Sequence, residues 1–301
     1  MPTPPLKCFA LLLLLSLLPT HGFAQVQVLA SIKPLQLIAA AVTEGVSDPG
    51  VIIPPNQSPH DFNLRPSDMR RLVDAGLVLW VGPGLETYLS GVLSQKAMAG
   101  KTLEAASVAG VSLLALNEEE HSHEGETYDP HLWLSTANAL ALARALEARL
   151  SIADPRHAMR YQTNLARFEN AMHTLQDNLQ AQFSTLQETP FAVYHNGTQY
   201  LENQLGLQHV FVLVPDHEIQ PGIRHLLDLR SRLETLQPVC LLEDVNANAA
   251  TVDTVFRNYP LRRTMLDTLG ENIVPGVDAY ANLIAGLATA IAQCLKPDAH
   301  P

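Results

Sequence analysis

The sequence predicts an α/β protein with two lobes, each a mostly parallel β-sheet flanked by helices, joined by a long linking α-helix. Three observations predict it. From Val26 onward, short apolar runs alternate with amphipathic helical patterns, the signature of parallel βαβ units. A second set of such runs begins near Phe191. Between the two sets lies a stretch with an unbroken helical rhythm and, after Pro155, neither glycine nor proline as far as Gln187.

The first set opens with a strand over Val26–Ile32 and a helix over Leu35–Val42. Val51–Ile53 is a short strand ended by Pro54 and Pro55. Ser67 is placed to begin a helix over Asp68–Ala75, and Leu77–Val81 is an uninterrupted apolar run, as a buried parallel strand requires. Val111–Leu116 is a further short strand. In the second set the strands are Phe191–Tyr194, Val210–Val214 and Val239–Leu242. Helices over Thr198–Gln204, Gly222–Leu236 and Ala249–Asn258 separate and follow them, and the Ala/Leu-rich segment Tyr280–Leu295 closes the chain.

The linking helix starts well: Asp154 suits an N-cap and Pro155 the first helical position. Met159, Leu165, Phe168, Met172, Leu175, Leu179, Phe183 and Leu186 keep the spacing of one apolar face. About 33 residues at about 1.5 Å each span about 50 Å, enough to tie two lobes together. The alternative is two shorter helices with a turn near Asn178. A helical tie favours small tilts and loop movements on ligand binding over closure of a wide hinge. The expected organisation is residues 1–24 as a signal peptide, 25–153 as the N-terminal lobe, 154–188 as the linking helix and 189–301 as the C-terminal lobe.

The leader assignment rests on Lys7 and the apolar run from Phe9 to Leu18, which at about ten residues is too short to span a bilayer. Gly22 and Ala24 place a cleavage site after Ala24. Cys8 precedes the apolar run and is misplaced for a lipid-anchored first residue. The formal net charge is −11, and cleavage removes a lysine, so no basic surface for nucleic acid or anionic lipid is expected. No later apolar run has the length for direct membrane insertion. Cys240 and Cys294 remain; an even pair in an exported chain suggests a disulfide, with two separate buried thiols as the alternative.

Four ligand-type residues each follow or adjoin an apolar run: His60 in SPHDFNLRPSD, His131 in YDPHLWLS, His195 in FAVYHNG and Asp267 in MLDTLG. No local metal motif joins them, so only the fold can gather them. In open α/β sheets ligands collect beyond the carboxyl ends of strands, and all four fall where such a rim is expected. Three imidazoles and a carboxylate form a donor set suited to zinc. The segment NEEEHSHEGET, residues 117–127, adds His121 and His123 among five glutamates and is either a solvated acidic loop or an auxiliary metal-capture loop. His217 in VPDHEIQPG lies near the expected cleft mouth and is a third auxiliary candidate. His157, His173, His209, His225 and His300 read as surface or helix-face residues.

The segments SPHDFNLRPSD, YDPHLWLS, YHNGTQYLENQLGL, HEIQPG and LDTLG resemble, in order and through nearly the whole mature chain, those of the metal-binding receptor proteins of ABC importers, most closely the ZnuA-like zinc-binding branch. The resemblance implies His60, His131 and His195 as histidine ligands, Asp267 as the aspartate ligand, and Cys240–Cys294 as a disulfide. Manganese-binding relatives commonly carry glutamate at the position of His195, and imidazole favours zinc over manganese. Two departures stand out. Pro59 stands where some zinc members have a glutamate, so no carboxylate adjoins His60. In LEDVNANAA, Glu243 keeps an acidic position but Asp244 replaces a proline.

The function implied is a monomeric periplasmic receptor that binds Zn²⁺ and delivers it to the inner-membrane permease of an ABC importer, with no catalytic residues. A manganese receptor of the same family is the alternative. A mononuclear zinc hydrolase fits less well, because no HExxH or paired acidic motif is present and Asp267 would fill the open coordination position. A zinc buffer without a transporter shares every residue named.

Overall fold

The computed structural model describes residues 25–54, 57–116, 128–215, 221–245 and 247–296. The first sheet is built from β1 (Val28–Ala30), β2 (Gly50–Val51), β3 (Leu77–Trp80) and β4 (Thr102–Glu104), in the order β2-β1-β3-β4 with every pair parallel. The second is built from β5 (Phe191–Val193), β6 (Phe211–Val212), β7 (Cys240–Asp244) and β8 (Arg262–Leu266), again all parallel, in the order β6-β5-β7-β8. The nine α-helices of the described residues are α1 (Lys33–Thr43), α2 (Pro66–Asp74), α3 (Thr87–Leu93), α4 (Thr136–Ala153), α5 (Ala158–Phe183), α6 (Gln199–Leu205), α7 (Ile223–Leu236), α8 (Ala249–Phe256) and α9 (Ala279–Leu295). Both sheets are parallel and flanked by helices, as the alternating pattern predicts.

The apolar runs explain the central strands. β1, β3 and β5 are buried at every position, because helices cover both faces of a parallel sheet. Helix α1 is buried over nearly its whole length, from Pro34 to Thr43, and packs on α4, α5 and α9. One contiguous buried cluster runs from Val28 and Leu79 of the first sheet, through Phe168 and Met172 of α5, to Leu242 and Ile284 of the second half. Shared core of this kind resists a wide hinge, since opening it would expose packed apolar surface.

The long helix is continuous through Asn178, but shorter than its apolar rhythm suggests: 26 residues, about 39 Å. At its start, Pro155–His157 forms a separate 3-10 turn, and Asp154 Oδ2 accepts from His157 Nδ1 at 2.6 Å and from the Tyr161 hydroxyl at 3.2 Å. At its end, Pro190 disfavours helix in the residue before it, and turns closed by Leu186 N–H to Phe183 O and Thr189 N–H to Leu186 O lead into β5.

Several elements differ from expectation. Val111–Leu116 is not a strand; several of its backbone groups bond to side chains rather than to a neighbouring strand. Ser112 exchanges two bonds with the Asn138 amide, and the Leu114 N–H donates to the Tyr200 hydroxyl at 3.0 Å. The edge strand is Thr102–Glu104, too short to show an alternating pattern. Helix α2 begins at Pro66 rather than after Ser67, because the Asp68 carboxylate accepts the Arg65 N–H at 3.0 Å. Helices α3 and α4 were not expected; α4 is capped by Ser135, whose hydroxyl accepts from the Asn138 N–H.

Cys240 and Cys294 are joined in a disulfide, with Cα atoms 5.7 Å apart, fastening the first residue of β7 to the end of α9. Among the described residues no helix is long and apolar enough to cross a membrane. The leader assigned to residues 1–24 lies outside the described residues.

Candidate metal centre

His60, His131, His195 and Asp267 line one cleft of about 620 Å³, together with Asp61, Trp133, Tyr194, Gly197, Asp244 and Glu271. The three imidazoles lie close: ring centroids are 5.3 Å apart for His60 and His131, 5.1 Å for His131 and His195, and 6.4 Å for His60 and His195. The Nε2 atoms of His60 and His131 are 3.3 Å apart. Two imidazole nitrogens bound tetrahedrally to one zinc at about 2.0–2.1 Å would sit roughly 3.3 Å apart, so this pair already has the spacing of two ligands. Among the described residues, however, no group of three or more His, Cys, Asp and Glu side chains is arranged to hold a single ion.

His131 is buried, only 7 % exposed, at the start of the 3-10 turn Leu132–Leu134. Asp129, also buried, receives both the His131 Nδ1 contact at 2.7 Å and the His131 backbone N–H at 2.9 Å through Oδ1. Such a carboxylate on Nδ1 places the ring's donor proton there and leaves Nε2 as the electron-pair donor facing the cleft. The segment is further tied to the second half of the chain. The Tyr200 hydroxyl donates to Asp129 O at 2.8 Å, the Tyr280 hydroxyl to Trp133 O at 2.7 Å, and the Trp133 indole N–H to Thr268 O at 3.0 Å.

His195 lies two residues beyond the end of β5, with Tyr194 between them. Burial, then the neighbouring His131, push its pKa well below the usual imidazole range, so the ring is neutral and keeps its lone pair at neutral pH. Its Nδ1 lies 3.3 Å from Asp244 Oδ2 at the end of β7. Gly197 leaves the room this ring uses: a Cβ there would stand 2.6 Å from His195 Cε1, 2.9 Å from its Nδ1 and 3.4 Å from His131 Nε2.

Asp267 is the first residue beyond β8 and closes the turn that follows. Its Oδ1 accepts the Gly270 N–H at 2.7 Å and its Oδ2 the Glu271 N–H at 2.8 Å. The structure thus gathers the three imidazoles, and sets Asp267 on the same cleft with its oxygens engaged by backbone. His121, His123 and His217 lie outside the described residues.

Sequence reasoning overlooked Asp129, although a carboxylate two residues before a candidate ligand in the DPH triplet was the available signal. It treated Asp244 only as a departure from a pattern, and Gly197 only as a turn residue. His209 is also corrected: its side chain is 13 % exposed and its Nδ1 lies 2.8 Å from the buried Glu202 carboxylate, which also accepts the Thr198 hydroxyl at 2.6 Å. A histidine after Gly-Leu-Gln gives no sign of a partner seven residues earlier.

The family model ZnuA, described as zinc-uptake complex component A, periplasmic, matches residues 28–294. The high-affinity zinc uptake system protein ZnuA of Yersinia pestis is 33 % identical over 296 residues, covering 91 % of this chain and 93 % of that protein. Its namesake in Brucella suis is 27 % identical over 306 residues, covering 89 % and 91 %. Among solved structures, a crystal structure of ZnuA superposes with a TM-score of 0.75 at 22 % identity, covering 91 % of this chain and 100 % of that one. FpvC of Pseudomonas aeruginosa in complex with Mn²⁺ has the same fold, with a TM-score of 0.76 at 18 % identity over 90 % of this chain and 98 % of its own. With a family match that runs from β1 to the last turn of α9, the chain belongs to the ZnuA family, the periplasmic A component of zinc-uptake complexes.

Proposed function

We propose that this protein is a high-affinity periplasmic zinc receptor that takes Zn²⁺ into the cleft and delivers it to the inner-membrane permease of an ABC importer. The observation that carries this reading is the approach of three imidazoles, from segments far apart in sequence, to within 5.1–6.4 Å of one another. The proposed ligands are His60, His131, His195 and Asp267. A carboxylate has about four acceptor sites, so the two backbone bonds to Asp267 leave lone pairs for a cation. A short inward movement of the rings and the Asp267 turn completes the set. Three imidazoles favour zinc over manganese, which prefers oxygen donors. Export through a signal peptide cut after Ala24 belongs to the same proposal, as do the lobe limits 25–153 and 189–301 and the link 154–188. Auxiliary capture by His121, His123 and His217 also belongs to it.

Competition between the metal-free mature chain and a chelating indicator tests the reading. The expected result is one tight zinc per chain, weaker retention of manganese, and a loss exceeding about 100-fold for each of His60→Ala, His131→Ala and His195→Ala, more than removal of an outer partner causes. Affinity unchanged in all three variants removes the assigned site.

A further inference from the structure

His60 is the ligand candidate with the least regular structure around it, yet its Nε2 already stands at ligand spacing from His131. Something fixes it there. The residue before it and the ring just after it are both met by a single side chain, Tyr88. The Tyr88 hydroxyl donates to the Pro59 carbonyl at 3.0 Å, and the Tyr88 and Phe62 rings pack with centroids 5.9 Å apart. Pro59 and Phe62 are buried, while His60 between them is partly exposed to the cleft.

Tyr88 is itself firmly based. It lies in the first turn of α3, just after Glu86, which is fully buried. The Glu86 carboxylate Oε2 accepts the backbone N–H groups of Val81 at 2.9 Å and Gly82 at 3.1 Å, just beyond the end of β3. The start of α3 is thereby fastened to the central part of the first sheet. Burial, then the Glu86 carboxyl nearby, push the Tyr88 hydroxyl pKa up, so it remains a donor across the physiological range.

We propose that Tyr88 is a positioning residue for metal binding: through its bond to Pro59 and its contact with Phe62 it holds His60 at coordinating distance from His131. This inference rests on reading His60 as a zinc ligand. With the chain held at Pro59 on one side of the histidine and at the Phe62 ring on the other, the His60 main chain has few positions, so the ion meets a ligand whose backbone is already in place rather than one it must order. Tyr88 does not touch the ion; it acts only through His60.

The test is a double-mutant cycle on the full mature chain: wild type, Tyr88→Phe, His60→Ala and the double variant, each titrated with zinc against a chelating indicator. Phenylalanine keeps the ring contact with Phe62 and removes only the hydroxyl, and thermal unfolding of the metal-free proteins checks that all four are folded. Loss of one neutral hydrogen bond is expected to weaken zinc binding about 5- to 10-fold in Tyr88→Phe, with faster zinc release, and to have no effect once His60 is gone. If His60→Ala weakens binding but Tyr88→Phe does not, or if Tyr88→Phe weakens it equally without His60, the positioning role is overturned and the zinc site stands. If His60→Ala itself leaves affinity unchanged, the site assignment fails, and the role given to Tyr88 fails with it.

Discussion

The two sheets have the same winding but present their site residues differently. In the second sheet the candidate ligands and their neighbours sit directly at the carboxyl ends of adjacent strands. His195 follows β5, Asp244 ends β7 and Asp267 follows β8, with β7 between the other two. The register pairs Asp244 with Leu266, so Asp267 is one step beyond its neighbour's end. In the first half no candidate ligand sits at a strand end. His60 and His131 ride on loops well beyond β2 and β4. The ladder holds the main chain at a strand end, whereas a loop depends on side-chain contacts for the same purpose. The first half supplies braces one by one: Asp129 for His131, and the contacts around Pro59 for His60.

The disulfide adds to this contrast, since it fastens β7 to α9 and the first sheet has no counterpart among the described residues. Replacing both Cys240 and Cys294 by alanine releases a loop of about 55 residues, which the chain-entropy model values at about 4 kcal/mol. Urea denaturation of the metal-free protein is expected to show a loss of that size. A loss below about 1 kcal/mol would mean that the ladder and the shared core already hold β7, and that the staple is redundant.

Asp129 probes the opposite half. Asp129→Ala removes the acceptor for both Nδ1 and the backbone N–H of His131, so the ring loses its orientation. Zinc affinity should fall about 10- to 100-fold. Asp129→Asn, whose amide oxygen still accepts, should fall less. Wild-type affinity in Asp129→Ala would show that the bonds from Tyr200 and Tyr280 are sufficient to hold the His131 segment.

The same contrast explains what was legible in the sequence. Strands such as Leu77–Trp80 and Phe191–Val193 announce themselves because both sheet faces are buried and every residue is apolar. His195 was legible because it follows such a run, whereas Asp267 follows only the apolar pair Met265–Leu266 at the end of β8. The bracing of the first half was not, because it depends on contacts between residues far apart in sequence. The Asn164 amide donates to Val42 O and Glu44 O, and the Tyr200 hydroxyl meets both Leu114 and Asp129. Val111–Leu116 has the residues of a strand but finds side-chain partners before it finds a neighbouring strand. Helix α4 was missed because it is buried on several sides, as Ala139 to Ala143 show, which erases the one-sided pattern that marks a surface helix.

The smallest change with a separable effect is Gly197→Ala. An added Cβ would meet His195 Cε1 at 2.6 Å and Nδ1 at 2.9 Å, closer than ordinary contact allows. These atoms are the far end of a side chain, so the ring can swing away and folding stability should fall by only about 1 kcal/mol. Zinc binding has no such escape, because the displaced ring is the proposed ligand. Affinity is expected to fall about tenfold, the loss that corresponds to about 1.4 kcal/mol. Isothermal titration beside thermal unfolding separates the two effects. Equal losses of affinity and stability, or a loss of stability alone, would mean that the strand end does not hold His195 in a binding-ready position. A loss confined to affinity would show that a site built on strand ends depends on small residues beside the ligand as much as a loop-borne site depends on its braces.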